Sequence, residues 1–161
     1  MTHRTQKTEE LQKTWVAFTG QTDLPWLRFL KPGFRHCFVI INDGRNWVSL
    51  DPMANRFEVT VHDQPAGFDF PQWLRACGLT VIESQAHNRN RAAPLMPLTC
   101  VEAVKRVLGI HDRLILTPWQ LYRHLEKCSG TEKASRPPRN LFALAETLEP
   151  LTPKGTISWE V

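Results

Sequence analysis

The chain has no apolar run approaching the ~18 residues of a membrane-spanning helix, and no segment reads as one. Its opening stretch, MTHRTQKTEELQK, is polar and lacks the apolar middle of a secretory signal, so a cytoplasmic protein is expected. Cysteine occurs four times, at positions 37, 77, 100 and 128, with no close pair and no Cys-x-x-Cys. In a reducing compartment that argues against both a zinc site and a disulfide framework. His62, His87, His111 and His124 lack metal-ligand spacing, so neither a metal nor another cofactor is expected. There is no internal repeat, and charge of one sign is scarce in excess. Twenty basic residues against sixteen acidic leave +4, which suits an anionic partner without specifying one.

What is there is one ordinary domain: 161 residues, 42% hydrophobic. Composition divides it into a domain over 1–128 and a proline-rich tail over 129–161, SGTEKASRPPRNLFALAETLEPLTPKGTISWEV, expected to wrap the domain or meet a partner. Leu11, Trp15 and Phe18 in TEELQKTWVAF stand at helical spacing and predict a first helix. In DLPWLRFL, Asp23 is placed to cap and Pro25 to open a short second one. Extended stretches follow at 34–41, 46–51 and 56–62, then a short helix FPQWLRACG stopped by Gly78, then a strand LTVIES. The expected class is α+β, with a small antiparallel sheet packed against helices. Six tryptophans spread over every element favour core anchors over a base-stacking platform.

Between Ser84 and Leu98 the segment SQAHNRNRAAPLMPL has no periodicity. A loop that long in a small domain suggests function, and His87, Arg89 and Arg91 are its candidate contacts to a substrate or an anionic partner. Next comes LTCVEAVKRVLGI, where Thr99 and Glu102 form a capping-box pattern, Val101, Val104 and Leu108 make an apolar stripe, and Gly109 ends the helix. Cys100 thus opens a helix. The final helix, from Pro118 to about residue 127, has Thr117 as cap, Gln120 to complete a second box, and Leu116 placed to staple onto Leu121.

In FRHCFVIINDGRNWVSLDP, Asp43 and Gly44 are suited to the centre of a two-residue hairpin turn. The register that follows sets Ile41 against Asn46, Val39 against Val48, Cys37 against Leu50 and His36 against Asp51. Opposed side chains have Cβ atoms about 4.5–5.5 Å apart, so an imidazole and a carboxylate are brought within hydrogen-bond reach. That is a base and its orienter. The thiol best placed to be the nucleophile is Cys100, since a helix N-terminus favours its thiolate by roughly 0.3–1 kcal/mol and presents free N–H groups to an oxyanion. The other readings are structural: His36 and Asp51 as a strand pair, and Cys100 as a small buried residue. Cys37 is expected in the core, facing away from His36, and Cys77 and Cys128 are expected to be inert.

Residues 33–108 resemble the papain-like fold, in which a helix-borne cysteine faces a histidine and an Asn or Asp on adjacent strands. The order here, His36, Asp51, Cys100, is similar to the circularly permuted branch of the NlpC/P60 superfamily, which includes the lecithin:retinol acyltransferase-like proteins. KPGFRHCFVII, WVSLDP and TCVEAVKRVLGI with TPWQLY also look similar to small uncharacterised phage and prophage proteins. The resemblance implies a cysteine hydrolase or acyltransferase acting on an amide or ester of a peptide, peptidoglycan-like or acyl substrate. Two features depart from it. Pro94 stands six residues before Cys100, where papain has its glutamine oxyanion donor, and the lipid acyltransferases' cysteine motif is missing. The alternatives are a catalytically silent papain-like interaction module and a nucleic-acid or virion-component binding protein using the basic loop with Arg136 and Arg139.

Overall fold

The computed structural model describes residues 13–22, 24–86 and 93–129, together with the strand 156–160. The elements run β1 (Lys13–Thr19), a 3₁₀ turn (Pro25–Phe29), β2 (His36–Asn42), β3 (Trp47–Pro52), β4 (Arg56–His62), α1 (Phe70–Ala76), β5 (Thr80–Ser84), α2 (Cys100–Leu108), α3 (Pro118–Ser129) and β6 (Thr156–Glu160). The α+β class is therefore as expected. The strands form one sheet in the order β5-β1-β2-β3-β4-β6, every neighbour antiparallel. Within the stretch read as a tail, Thr156–Glu160 returns to the sheet and extends it beside β4.

The first expected helix is instead β1. It lies inside the sheet between β2 and β5, with α2 and α3 on one face and α1 on the other, and a strand buried on both faces reads as a nearly continuous apolar run. Trp15 and Ala17 face one way, Val16 and Phe18 the other. A run of this kind carries no alternation, so the spacing of Trp15 and Phe18 mimicked a helix. Leu11 lies outside the described residues. The 3₁₀ turn does begin at Pro25, but its cap position is Leu24, which has no side-chain cap bond, and Asp23 lies outside the described residues.

Each face of the sheet carries a core. On one, Val16, Phe18, Cys37, Val39 and Ile82 pack against Val101, Val104 and Leu108 of α2 and Leu121, Tyr122 and Leu125 of α3. On the other, Trp15, Ala17, Ile40, Trp47 and Val81 meet Phe70 and Leu74 of α1. The helices are punctuated as their sequences require. Asp69 accepts from the Gln72 N–H at 2.9 Å to start α1, and Gly109 in the left-handed region (φ 69°) ends α2. Before α3, Gln120 Oε1 accepts from the N–H groups of Leu116 and Thr117, each at 3.0 Å, and Thr117 Oγ1 accepts from the Gln120 N–H at 3.3 Å. Leu116 is exposed, and the buried apolar residue at this corner is Ile115.

Candidate active site

The hairpin that carries the histidine turns one residue later than its sequence suggests. The Asp43 N–H donates to the Asn46 carbonyl at 3.2 Å, leaving Gly44 (φ 86°) and Arg45 as the central residues. The Asp43 carboxylate is the cause. It accepts from the N–H groups of Arg45 (2.8 Å) and Asn46 (2.6 Å), which holds Asp43 at the start of the turn and not inside it. The register consequently moves by two: Val39 pairs with Leu50 and Ile41 with Val48, so Cys37 is not opposed to Leu50, nor His36 to Asp51.

A slip of two residues keeps every side chain on its own face. Continued along the strands, the register sets Asp51 beside Phe38, and His36 is then its diagonal neighbour on the same face. Diagonal positions lie within reach of long and aromatic side chains. The contact is made: His36 Nε2 lies 2.6 Å from Asp51 Oδ1.

The segment leading into His36 is anchored on both sides. A Cβ on Gly20 would sit 3.0 Å from the Gly33 nitrogen, so a side chain there would require the approach to β2 to give way by a few tenths of an ångström. The Arg35 N–H then donates to the Thr19 carbonyl at 2.9 Å. Phe34 packs its ring among Phe18, Trp119 and Tyr122, with centroids 5.6, 4.8 and 4.9 Å away. These contacts fasten the start of β2 to α3.

Helix α2 delivers the thiol. Thr99 Oγ1 accepts from the Glu102 N–H at 3.2 Å, and Cys100 is the first helical residue. The reciprocal half of the expected capping box is absent. Glu102 turns its carboxylate to Lys105 Nζ (2.8 Å) and Arg106 Nε (3.2 Å), while the Thr99 N–H goes to the Pro97 carbonyl (3.0 Å). Lys105 is 1% exposed and needs a counter-charge more than the cap needs a second bond. Its ammonium also donates to the Ile115 carbonyl at 3.2 Å, tying α2 to the loop before α3.

At the N-terminus of α2, Cys100 meets β2. His36 and Cys37 are the first two residues of β2, and both influence the Cys100 thiol. Hydrogen bonding from the Cys37 thiol is the largest influence on Cys100. Burial opposes it, and the His36 imidazole and the Cys37 main-chain N–H add to it, so the Cys100 thiol is brought down to about 5. For His36, burial disfavours the charged ring, but the hydrogen bonds and charges of Asp51 and Cys100 outweigh it and push the imidazole up to about 10. Cys37 goes the other way: burial first, then the neighbouring Cys100 and Asp51, hold its thiol well above the usual range. These shifts favour a Cys100 thiolate beside a His36 imidazolium whose Nε2 is engaged by Asp51, and a protonated Cys37. With Nε2 engaged by Asp51, Nδ1 is the ring nitrogen that remains for a second partner.

The structure thus brings Cys100, His36 and Asp51 together. His87, Arg89 and Arg91 lie outside the described residues, as do Arg136 and Arg139. Cys37, assigned by its strand position to the core, is fully buried there, in the cluster on which Cys100 packs. Cys77 and Cys128 are exposed. No family model, no curated protein and no solved structure matches the chain.

Proposed function

We propose that the protein is a cysteine-dependent hydrolase or acyltransferase in which Cys100 is the nucleophile, His36 the acid and base, and Asp51 the residue that orients His36. The observation that carries this reading is the convergence of a helix-opening thiol, an imidazole and a carboxylate at 2.6 Å from that imidazole. A purely structural pair accounts for His36 and Asp51 but not for a thiol driven to its anion beside them. The order His36, Asp51, Cys100 and the helix-to-strand arrangement support a permuted papain-like, NlpC/P60-type architecture.

In this mechanism the Cys100 thiolate attacks the carbonyl carbon of an amide or ester. The oxyanion that forms accepts a hydrogen bond from the Cys100 N–H, which has no intrahelical acceptor in the first turn of α2. This donor takes on weight because Pro94 stands where papain has a glutamine. As the tetrahedral species collapses, the His36 imidazolium gives its proton to the leaving amine or alcohol, and a thioester remains on Cys100. Water or another acceptor then attacks the thioester, His36 takes up its proton, and the thiolate leaves.

The test is acylation by p-nitrophenyl acetate. A burst of nitrophenol equal to the enzyme present, acetyl on Cys100 alone, and continued turnover are expected, with Cys100→Ser losing the burst and His36→Ala losing turnover. Acetylation of Cys77 or Cys128 as fast as Cys100, with no turnover, would reject the reading.

A further inference from the structure

Immediately before the site histidine stands an arginine without a counter-charge. Arg56, Arg106 and Arg123 each lie against a glutamate, whereas Arg35 lies against no carboxylate among the described residues. Its side chain makes a single hydrogen bond there, from Nη1 to the Gly20 carbonyl at 3.2 Å. Nε is buried without a partner, and Nη2 is neither buried nor bonded among the described residues. A covered N–H without an acceptor is unfavourable, and a cation drawn half out of water is normally paired. The fold holds this one in place all the same. The Arg35 main-chain N–H donates to the Thr19 carbonyl at 2.9 Å, Phe34 before it packs on the same core cluster as Cys100, and His36 follows it with Cα atoms ~3.8 Å apart. The guanidinium is thus anchored next to the histidine in the chain, with the Nη2 end of its fork unused.

We propose that Arg35 is a specificity-determining residue of the site, binding a carboxylate that the acyl substrate carries within reach of its scissile carbonyl. The inference rests on Cys100 being the nucleophile, and it narrows the substrate to an anionic acyl group. A guanidinium takes a carboxylate through parallel N–H···O bonds from two of its nitrogens, and the bond to Gly20 fixes the plane of this fork before a substrate arrives. The single charge of Arg35 balances a single carboxylate. His36 does not compete for it through Nε2, because Asp51 already engages that nitrogen at 2.6 Å. A neutral acyl chain would leave the cation as it stands, half-buried and unpaired, so the site gains from the anionic substrate an interaction that the neutral one cannot supply.

The experiment compares acylation of the full chain by p-nitrophenyl hexanoate and by mono-p-nitrophenyl adipate, whose acyl groups differ in ending in a methyl or a carboxylate. The readout is the ratio of kcat/KM for the two esters in wild type, Arg35→Gln and Arg35→Lys. Wild type should favour the adipate, and Arg35→Gln should lower the ratio about tenfold, chiefly by raising KM for the adipate. Arg35→Lys keeps the charge without the fork and should return part of the preference. Should Arg35→Gln fail to fold, wild-type Cys100 decides the matter: adipate should slow its alkylation by iodoacetamide and adipamide should not. A wild type without preference, a ratio unchanged in Arg35→Gln, or equal protection by adipate and adipamide would overturn the role of Arg35. So would a lowered melting temperature with the ratio unchanged, which is what a guanidinium that merely ties down the Gly20 carbonyl predicts. Failure of both esters to acylate Cys100 would instead overturn the proposed function, and this inference with it.

Discussion

Replacing Asp51 by alanine should shorten the range of pH over which the site holds its charges, and it should do so from the alkaline side. In the wild type the His36 imidazolium persists up to about 10 against the pull of burial, and the hydrogen bond it donates to Asp51 is the largest of the influences that sustain it. A hydrogen bond to a charged group contributes about 1.5–3 kcal/mol, which at ~1.4 kcal/mol per unit corresponds to roughly one to two units of pKa. The pair is partly open to solvent, with His36 18% and Asp51 32% exposed, so the lower part of that range applies. In Asp51→Ala the ring should lose its proton at about 9, roughly one unit below the wild type, while the acid midpoint of Cys100 changes little. Asp51→Asn, which keeps an acceptor oxygen without its charge, should fall between. The ring protons of His36, followed by NMR through the titration, report this directly, and Cys100 alkylation on the same samples reports the thiolate. A well-folded Asp51→Ala in which His36 still titrates near 10 would refute the reasoning. So would a lowered melting temperature with both profiles unchanged, which is what a merely structural pair predicts.

The same charges set a stability profile. Cys100, lowered from 9.0 to about 5, contributes stability that is complete above 9.0 and lost as pH falls through 5. His36, raised from 6.5 to about 10, contributes stability that is complete below 6.5 and lost as pH rises through 10. The two slopes cancel between 6.5 and 9.0, so stability measured against the Cys100→Ala, His36→Ala double variant should be level there and decline on either side. A steady rise or fall across that interval would contradict the ion pair. Away from the site chemistry, Lys105→Met leaves Glu102 buried and only half paired, since Arg106 still reaches it. Removing one partner of a buried pair costs about 3–5 kcal/mol, and the remaining Arg106 contact places this variant near the low end in a denaturant titration. A change below about 1 kcal/mol would show that the pair has solvent access after all.

Local chemistry determined much of this protein from the sequence alone. Thr99, Gly109, Thr117 and Gln120 mark the ends of α2 and α3 because capping involves neighbours in the chain, and so Cys100 was legible as the residue that opens a helix. The hairpin was legible in its parity: Asp43 displaced the turn by one position and the register by two, but a strand's two-residue period kept His36 and Asp51 on one face. What only the tertiary structure decided depends on neighbours distant in sequence. β1 is a strand because β2 and β5 flank it, and a central strand hides the alternation that would have announced it. Glu102 forsook its cap for Lys105 because the fold buries that ammonium. The meeting of Cys100 with His36 likewise followed only when α2 came to lie across β2, a packing between elements more than fifty residues apart in the chain.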